Sequence, residues 1–243
     1  LVRPPLKIKK IKGLKLSGPL GFCNPYLTFQ YAEFRYALFA LAHHPRYGSF
    51  LLVNTHFHHG VEWSDPVREK IKHWEVSGVL TSSQKEELEE TIETSNKRRE
   101  EELKNLFSQV KELQEHYENL PLILSGDLNS TISSPIYKNI VETHQLKDSM
   151  EIYSPIPYTW NPEVNSKNHK YTEKFDVPVP TFDKEEVKSF FKEYDKRQRR
   201  IDYVFVSPNI EVLSHTLFAD QPGEQGIIGS DHFGVMVSIK TQP

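Results

Sequence analysis

The sequence lacks most of the features that would tie the protein to a membrane or to an oxidising compartment. Cys23 is the only cysteine among 243 residues, so no disulfide bond can form within the chain. We find no run of about 18 apolar residues and no secretory signal pattern, and therefore predict no transmembrane helix. The formal net charge of −3 gives no overall basic footprint for nucleic acid. The compartment stays open, and a cytoplasmic location is only a guess.

The composition is that of a folded, soluble domain. Hydrophobic residues make up 37% of the chain and charged residues 26%, as in ordinary globular proteins. A chain of this length can bury a substantial core, and we predict a single domain over residues 1–243. Because the chain begins at Leu1 rather than methionine, we expect that an upstream segment has been lost.

The most informative stretch is Leu122–Asn129. Its apolar residues predict a buried strand, and Gly126 permits a sharp turn or a close backbone approach. Asp127 and Asn129 follow two positions apart, so in extended backbone they face the same side. Carboxylate and amide oxygens at a strand end suit a hard cation, a water nucleophile or a phosphate oxygen. The alternative is an Asx-rich turn without function.

Two more strands precede it. Residues 34–42 and 49–57 are apolar and flank a short polar turn, which predicts an antiparallel hairpin. The second strand ends in His56, which could be a satisfied core histidine. Together with His58 and His59 it suggests a zinc hydrolase, although the spacing matches no standard zinc pattern and no cysteine joins the cluster.

Residues 60–119 are polar and helical. From Leu103 onwards, apolar residues at helical spacing predict a face packed on the core. Residues 84–102 lack such a stripe, so we expect them to project into solvent. We therefore predict a polar helical insertion over 60–95, which could also bind a protein partner. A second insertion, a long loop followed by a helix, is predicted over 161–199.

Both ends of the chain contribute strands. Residues 1–21 alternate lysine with apolar residues, which predicts an edge or half-buried strand. Asp202 lies near the start of an apolar strand, and Asp231 and His232 precede the terminal strand. As neighbours in sequence, Asp231 and His232 can serve one site only if their loop curls.

Four motifs follow one another in a fixed order: Asn54–His56, Gly126–Asn129, Arg200–Phe205 and Ser230–His232. In this order they resemble the endonuclease/exonuclease/phosphatase superfamily, which includes deoxyribonucleases, sphingomyelinases, deadenylases and inositol polyphosphate phosphatases. The resemblance covers about 34–239. It implies an α/β (α+β) fold, a four-layer sandwich of two packed mixed β-sheets flanked by helices, here with a helical insertion.

The resemblance also implies catalytic roles. His56 matches the histidine that contacts the scissile phosphate, and Asp127 matches the carboxylate that orients or deprotonates the attacking water. Asn129 matches the partner amide, which binds phosphate or metal. Asp202 matches the aspartate that hydrogen-bonds the last histidine, His232.

A metal and a phosphate site are implied as well. Asp231 matches a magnesium ligand, and Asp127 and Asn129 complete the metal set that we expect. His56, Asn129 and His232 form the expected phosphate site. One departure stands out: the superfamily opens with a strand ending in asparagine and a second strand carrying a metal-binding glutamate, and residues 1–33 contain neither pattern.

The expected activity is hydrolysis of a phosphodiester or phosphomonoester by in-line attack of an activated water, with Mg²⁺, or Mn²⁺ in its place, as cofactor. The substrate class stays open between a small molecule, a lipid head group and a short nucleic acid. The alternative is a non-catalytic binding or scaffold protein on the same fold that has lost the metal-binding glutamate.

Overall fold

A six-stranded mixed sheet forms the centre of the molecule. The computed structural model describes residues 3–18, 34–151, 158–161, 184–219 and 230–241. Within these ranges the strands are β1 (Lys7–Ser17), β2 (Arg35–His44), β3 (Gly48–His56), β4 (Leu122–Asp127), β5 (Lys147–Asp148), β6 (Asp202–Val206), β7 (Ile210–Phe218) and β8 (Gly234–Thr241). The helices are α1 (Asp65–Val76), α2 (Ser82–His116), α3 (Pro135–Lys138), which continues as a π-helical turn over Asn139–Thr143, and α4 (Glu185–Asp195).

The strands of the large sheet lie in the order β1-β2-β3-β4-β6-β5. β3 and β4 are parallel and the other neighbours antiparallel. A parallel pair needs a long crossover connection, and here α1 and α2 supply it. The predicted hairpin is confirmed as β2 and β3, and the lysine-rich strand is confirmed as β1, at the sheet edge.

β7 and β8 form a second, antiparallel sheet. It packs on the large sheet through buried or half-buried valine and isoleucine side chains, among them Val206, Ile210, Val212 and Val237. The predicted α/β (α+β) class, with two packed sheets and flanking helices, is confirmed. No helix in the described part of the chain combines the length and the apolar character needed to span a lipid bilayer.

The second half of α2 covers the sheet as predicted. Leu103, Leu106 and Val110 are buried in one cluster with the strand residues Val53 and Leu124. The helix begins with a capping box, in which Thr81 and Gln84 bind each other's backbone N–H groups.

The first half of α2 does not project into solvent, so that prediction is wrong. Leu88 and Ile92 are fully buried. They pack with α1 and α4 in a second apolar cluster that contains Trp74 and Phe191. The same helix face then continues with three buried polar residues: Ser95, Arg99 and Glu102. Because part of this buried face is polar, the spacing of apolar residues alone does not reveal it.

The predicted insertions stay predictions. The helix expected from residue 184 is present as α4, but residues 162–183, which hold most of the long loop, lie outside the described ranges.

Candidate active site

Three of the expected side chains lie in one row across the large sheet. His56 is the last residue of β3 and pairs in parallel register with Asp127, the last residue of β4. Asp127 pairs in turn with Asp202, the first residue of β6. Since β6 runs antiparallel to β4, its start lies beside the end of β4. Neighbouring strands are about 4.8 Å apart, so the row brings the three residues to one rim of the sheet.

The row depends on a close approach of β3 and β4 one residue earlier. Gly126 has φ +141°, and a Cβ at this position would lie 1.9 Å from the carbonyl oxygen of Thr55. Only glycine fits there.

His232, two residues before β8, reaches the same rim. Its Nδ1 lies 2.8 Å from Oδ2 of Asp202, and its Nε2 lies 3.8 Å from Oδ2 of Asp127. An isolated backbone bridge joins His232 to Trp160, and their ring centroids are 4.8 Å apart. A carboxylate bonded to Nδ1 fixes the tautomer of the imidazole and leaves Nε2 facing the site.

Asp127 is the centre of the cluster. Nε2 of His56 lies 3.2 Å from its Oδ2, and 55% of the His56 side chain is exposed, against 11% for Asp127. The backbone N–H of Asn129 donates to its Oδ1 at 2.7 Å. Nδ2 of Asn129 donates to the carbonyl oxygen of Phe57 at 2.9 Å, which uses one of the two N–H groups of this amide.

The charges at the rim depend on one another. Burial, with the neighbouring Asp202 carboxylate, raises the pKa of Asp127 to about 7. Burial opposes the imidazolium of His232, but the hydrogen bond and charge of Asp202 outweigh it and raise the pKa of His232. Partial burial, followed by the positive charge of Arg35, lowers the pKa of His56 to about 4. His56 is thus neutral at physiological pH, while His232 favours its cationic form.

One group of potential metal ligands occurs among the described residues. Oxygen or nitrogen atoms of Asp127, Asp202 and His232 lie within 4.8 Å of one another. Asp231, the metal ligand implied by the resemblance, is half-buried next to His232 but is not a member of this group.

The histidines that suggested zinc do not come together. His58 is fully buried, and burial lowers its pKa to about 2, whereas His56 faces the rim. His56, His58 and His59 do not form a metal-binding group in the part of the chain that the structure describes. The hypothesis of a zinc hydrolase on these residues is wrong.

Sequence reasoning missed Thr159. Its side chain is fully buried, and its Oγ1 donates to Oδ2 of Asp202 at 2.7 Å. The same oxygen accepts from the backbone N–H groups of Ile201 and Asp202. The only signal was a short strand pattern around Tyr158–Trp160, which does not distinguish a structural hydroxyl from one that holds an active-site carboxylate.

No protein-family model matches the chain, and no curated protein matches it. Solved structures do. An endonuclease/exonuclease/phosphatase family protein from Bacteroides thetaiotaomicron superposes with a TM-score of 0.59 at 20% identity, over 98% of this chain and 64% of that one. A mannosyl-6-phosphatase from the same organism gives 0.56 at 20% identity, over 96% and 67%. A truncated TDP2 from Caenorhabditis elegans gives 0.55 at 13%, over 99% and 68%.

The chain therefore has the fold of the endonuclease/exonuclease/phosphatase superfamily, as the four motifs indicated. It spans about two thirds of the length of these structures. Proteins with this fold include phosphatases and nucleases, so the fold is one that supports phosphoester hydrolysis.

Proposed function

We propose that the protein is a divalent-metal-dependent phosphoesterase in which the rim cluster activates a water for in-line attack on a phosphoryl group. The observation that carries the proposal is the row formed by His56, Asp127 and Asp202, with His232 facing it from the segment before β8. Residues from four separate motifs thus converge on one solvent-accessible spot.

In this mechanism Asp127 orients the attacking water and accepts its proton. Asp127 lies at the centre of the rim, with His56 on one side and His232 on the other, which is where an attacking water must be held. His232, held by Asp202, donates from Nε2 to a phosphoryl oxygen, and its positive charge offsets the charge that develops there. His56, which stays neutral, donates a hydrogen bond to the same phosphoryl group from the other side of Asp127.

The donor chemistry fits a hard cation. Asp127 is mostly buried beside a second carboxylate, an arrangement that disfavours its charge and that a bound cation would relieve. We propose that Asp127 and the side-chain oxygen of Asn129 hold the ion, and expect Mg²⁺ or Mn²⁺ because both offer oxygen ligands. Asp231 lies outside the group of Asp127, Asp202 and His232 and is proposed as a ligand on the resemblance alone. When bound, such an ion supplies charge neutralisation and a lower pKa for water.

The substrate is a phosphorylated small molecule, a phosphorylated lipid head group or a short nucleic acid. The similar structures include a mannosyl-6-phosphatase and TDP2, which supports the breadth of this class rather than one member. We propose that the insertions over 60–95 and 161–199 flank the site and select among these substrates.

Hydrolysis of bis-p-nitrophenyl phosphate and p-nitrophenyl phosphate, with Mg²⁺, Mn²⁺ or EDTA, tests the proposal. We expect metal-dependent turnover that Asp127→Ala and His232→Ala each reduce by about 10²- to 10⁴-fold. Glu211→Ala is the control, since its carboxylate lies on β7 in an exposed pair with Lys240.

The second candidate is a non-catalytic binding or scaffold protein on the same fold. The observation that favours it is that the group of potential metal ligands among the described residues, Asp127, Asp202 and His232, contains no glutamate. It predicts no turnover of either substrate with any divalent cation, and retained binding of a phosphorylated ligand.

A further inference from the structure

The loop that follows His56 is held by side chains of α2. We call residues 57–63 the first rim loop. Three buried or half-buried side chains on one face of α2, those of Asn96, Arg99 and Glu102, bind its backbone. Oε2 of Glu102 accepts from the N–H of His58 at 2.7 Å. The guanidinium of Arg99 donates to the carbonyls of His58, Gly60 and Val61 at 3.2 to 3.3 Å. Nδ2 of Asn96 also donates to the carbonyl of Val61, at 3.0 Å. The loop thus takes its shape from the helix.

Each residue of the loop that follows Asp127 forms a hydrogen bond to another part of the protein. We call residues 128–131 the second rim loop. The N–H of Leu128 donates to the carbonyl of Ile201, Nδ2 of Asn129 donates to the carbonyl of Phe57, and the hydroxyl of Tyr203 donates to the carbonyl of Ser130, each at 2.9 Å. The Asn129 bond reaches Phe57 in the first rim loop, and Thr131, the last residue in this series, adds a second link through a side chain of that loop.

That side chain is Glu62. Its Oε2 accepts from Oγ1 of Thr131 at 2.7 Å, and both carboxylate oxygens lie 3.3 Å from the N–H of Thr131. Only 8% of Glu62 is exposed. Its own carbonyl accepts from the hydroxyl of Tyr194 on α4 at 3.2 Å. A buried carboxylate keeps its partners because losing one leaves its charge poorly solvated.

We propose that Glu62 is a positioning residue that adds a side-chain lock between the two rim loops through Thr131, beside the Asn129–Phe57 bond, and so holds Asn129 in place next to Asp127. The buried face of α2 fixes the first loop, and Glu62 passes that constraint to the second. Its catalytic consequence rests on the proposed phosphoesterase function, whereas the structural link does not.

Hydrogen exchange tests the link without any substrate. In Glu62→Ala and in Thr131→Val, we expect the amides of 57–62 and of 128–131 to exchange about 10-fold faster or more, since a lost charged hydrogen bond is worth roughly that factor. The double variant should exchange like each single one, because both remove the same contact. Thr131→Ser keeps the hydroxyl and should resemble the original chain.

Glu186→Gln is the matched control. Glu186 accepts from Trp74 and Lys70 in the same helical region, and both of these partners in the described part of the chain lie outside the rim loops, so exchange in the loops should not change. Faster exchange confined to one loop, or additive effects in the double variant, would overturn the proposal. Thr131→Val is nearly isosteric and gives the answer even if Glu62→Ala does not fold.

Turnover of bis-p-nitrophenyl phosphate gives the second readout. We expect kcat to fall about 10-fold in Glu62→Ala and Thr131→Val, with a smaller change in KM, because misplaced catalytic groups affect the transition state most. An unchanged kcat with faster loop exchange overturns the positioning role. Absence of turnover in the original chain counts against the phosphoesterase and leaves the exchange experiment decisive for the link.

Discussion

Two polar clusters meet at the first rim loop, which follows His56 and is bound by Arg99 and Glu102, yet they differ in exposure and in how they are recognised. The rim cluster around Asp127 opens to solvent through His56. The buried face of α2 is sealed: Arg99 is 1% exposed and Glu102 is not exposed at all. Sequence motifs pointed to the first cluster, whereas the second resembled a solvated charged helix. The difference teaches that polar residues on a helix do not reveal whether water or backbone carbonyls satisfy them.

Removing the central carboxylate of the rim should give the largest effect. Asp127→Ala is expected to lower kcat by about 10²- to 10⁴-fold while leaving the free energy of unfolding equal or higher. The reason is that burial raises the pKa of Asp127, so its charge costs stability at neutral pH. Turnover assays and urea denaturation measure the two quantities. A large loss of stability would place Asp127 with the sealed cluster instead; Asp127→Asn is the shape-matched control.

Truncating the sealed cluster should lower the free energy of unfolding, in contrast to Asp127→Ala. Arg99→Ala removes the guanidinium donor from the carbonyls of His58 and Gly60, one of two donors from the carbonyl of Val61, and a positive charge near Glu62 and Glu102. We expect a loss of about 3–5 kcal/mol in the free energy of unfolding, measured by urea denaturation. Arg99→Lys keeps the charge but not the planar fork, and should recover only part of this loss. A change below about 0.5 kcal/mol, typical of surface substitutions, would mean that the cluster is solvated after all.

Apolar truncation compares the two halves of α2 directly. Ile92→Ala in the first half and Leu106→Ala in the second should each cost about 2–5 kcal/mol, because both side chains are fully buried. Thermal or urea unfolding followed by circular dichroism gives the values. If only Leu106→Ala destabilises the protein, the first half of α2 is an exposed appendage, as the sequence pattern suggested.

Acid should weaken the protein through His58, which adjoins the sealed cluster. Its folded pKa of about 2 lies below the unfolded value of 6.5, so the unfolded state binds more protons as the pH falls below about 6.5. Stability from this residue is fully present above that pH and should fall by about 1.4 kcal/mol per unit below it. Urea denaturation between pH 7 and 4.5 measures the slope. His58→Gln should have a flatter profile than the original chain; parallel profiles would contradict the buried neutral state.

The smallest effect is expected on the solvent-facing side of α2. Lys97 and Glu93 form an exposed pair one turn apart, and Lys97→Ala should change the free energy of unfolding by less than about 0.5 kcal/mol. Comparison with Arg99→Ala, two residues away, isolates burial as the cause. Equal losses in the two variants would remove the distinction between the two sides of the helix.

The rim was predictable because strand ends have simple geometry. His56, Asp127 and Asp202 each close or open an apolar strand, and register brought them into one row. Thr159 and Glu62 were not predictable in this way, because their partners are distant in sequence and no local pattern marks a hydroxyl or carboxylate that bonds a neighbouring loop. Leu88 and Ile92 were missed since the stripe that contains them continues in arginine and glutamate rather than in leucine.

Gly126 allows the main chains of β3 and β4 to approach closely just before the rim. Since a methyl group at this position would overlap the carbonyl of Thr55, any larger residue must wedge β3 away from β4 just before His56 and Asp127. The separation of the main chains of His56 and Asp127 is therefore set by the pairing of β3 with β4. An engineer who wishes to admit a bulkier phosphorylated group should leave this pair of strands alone and remodel the surrounding loops.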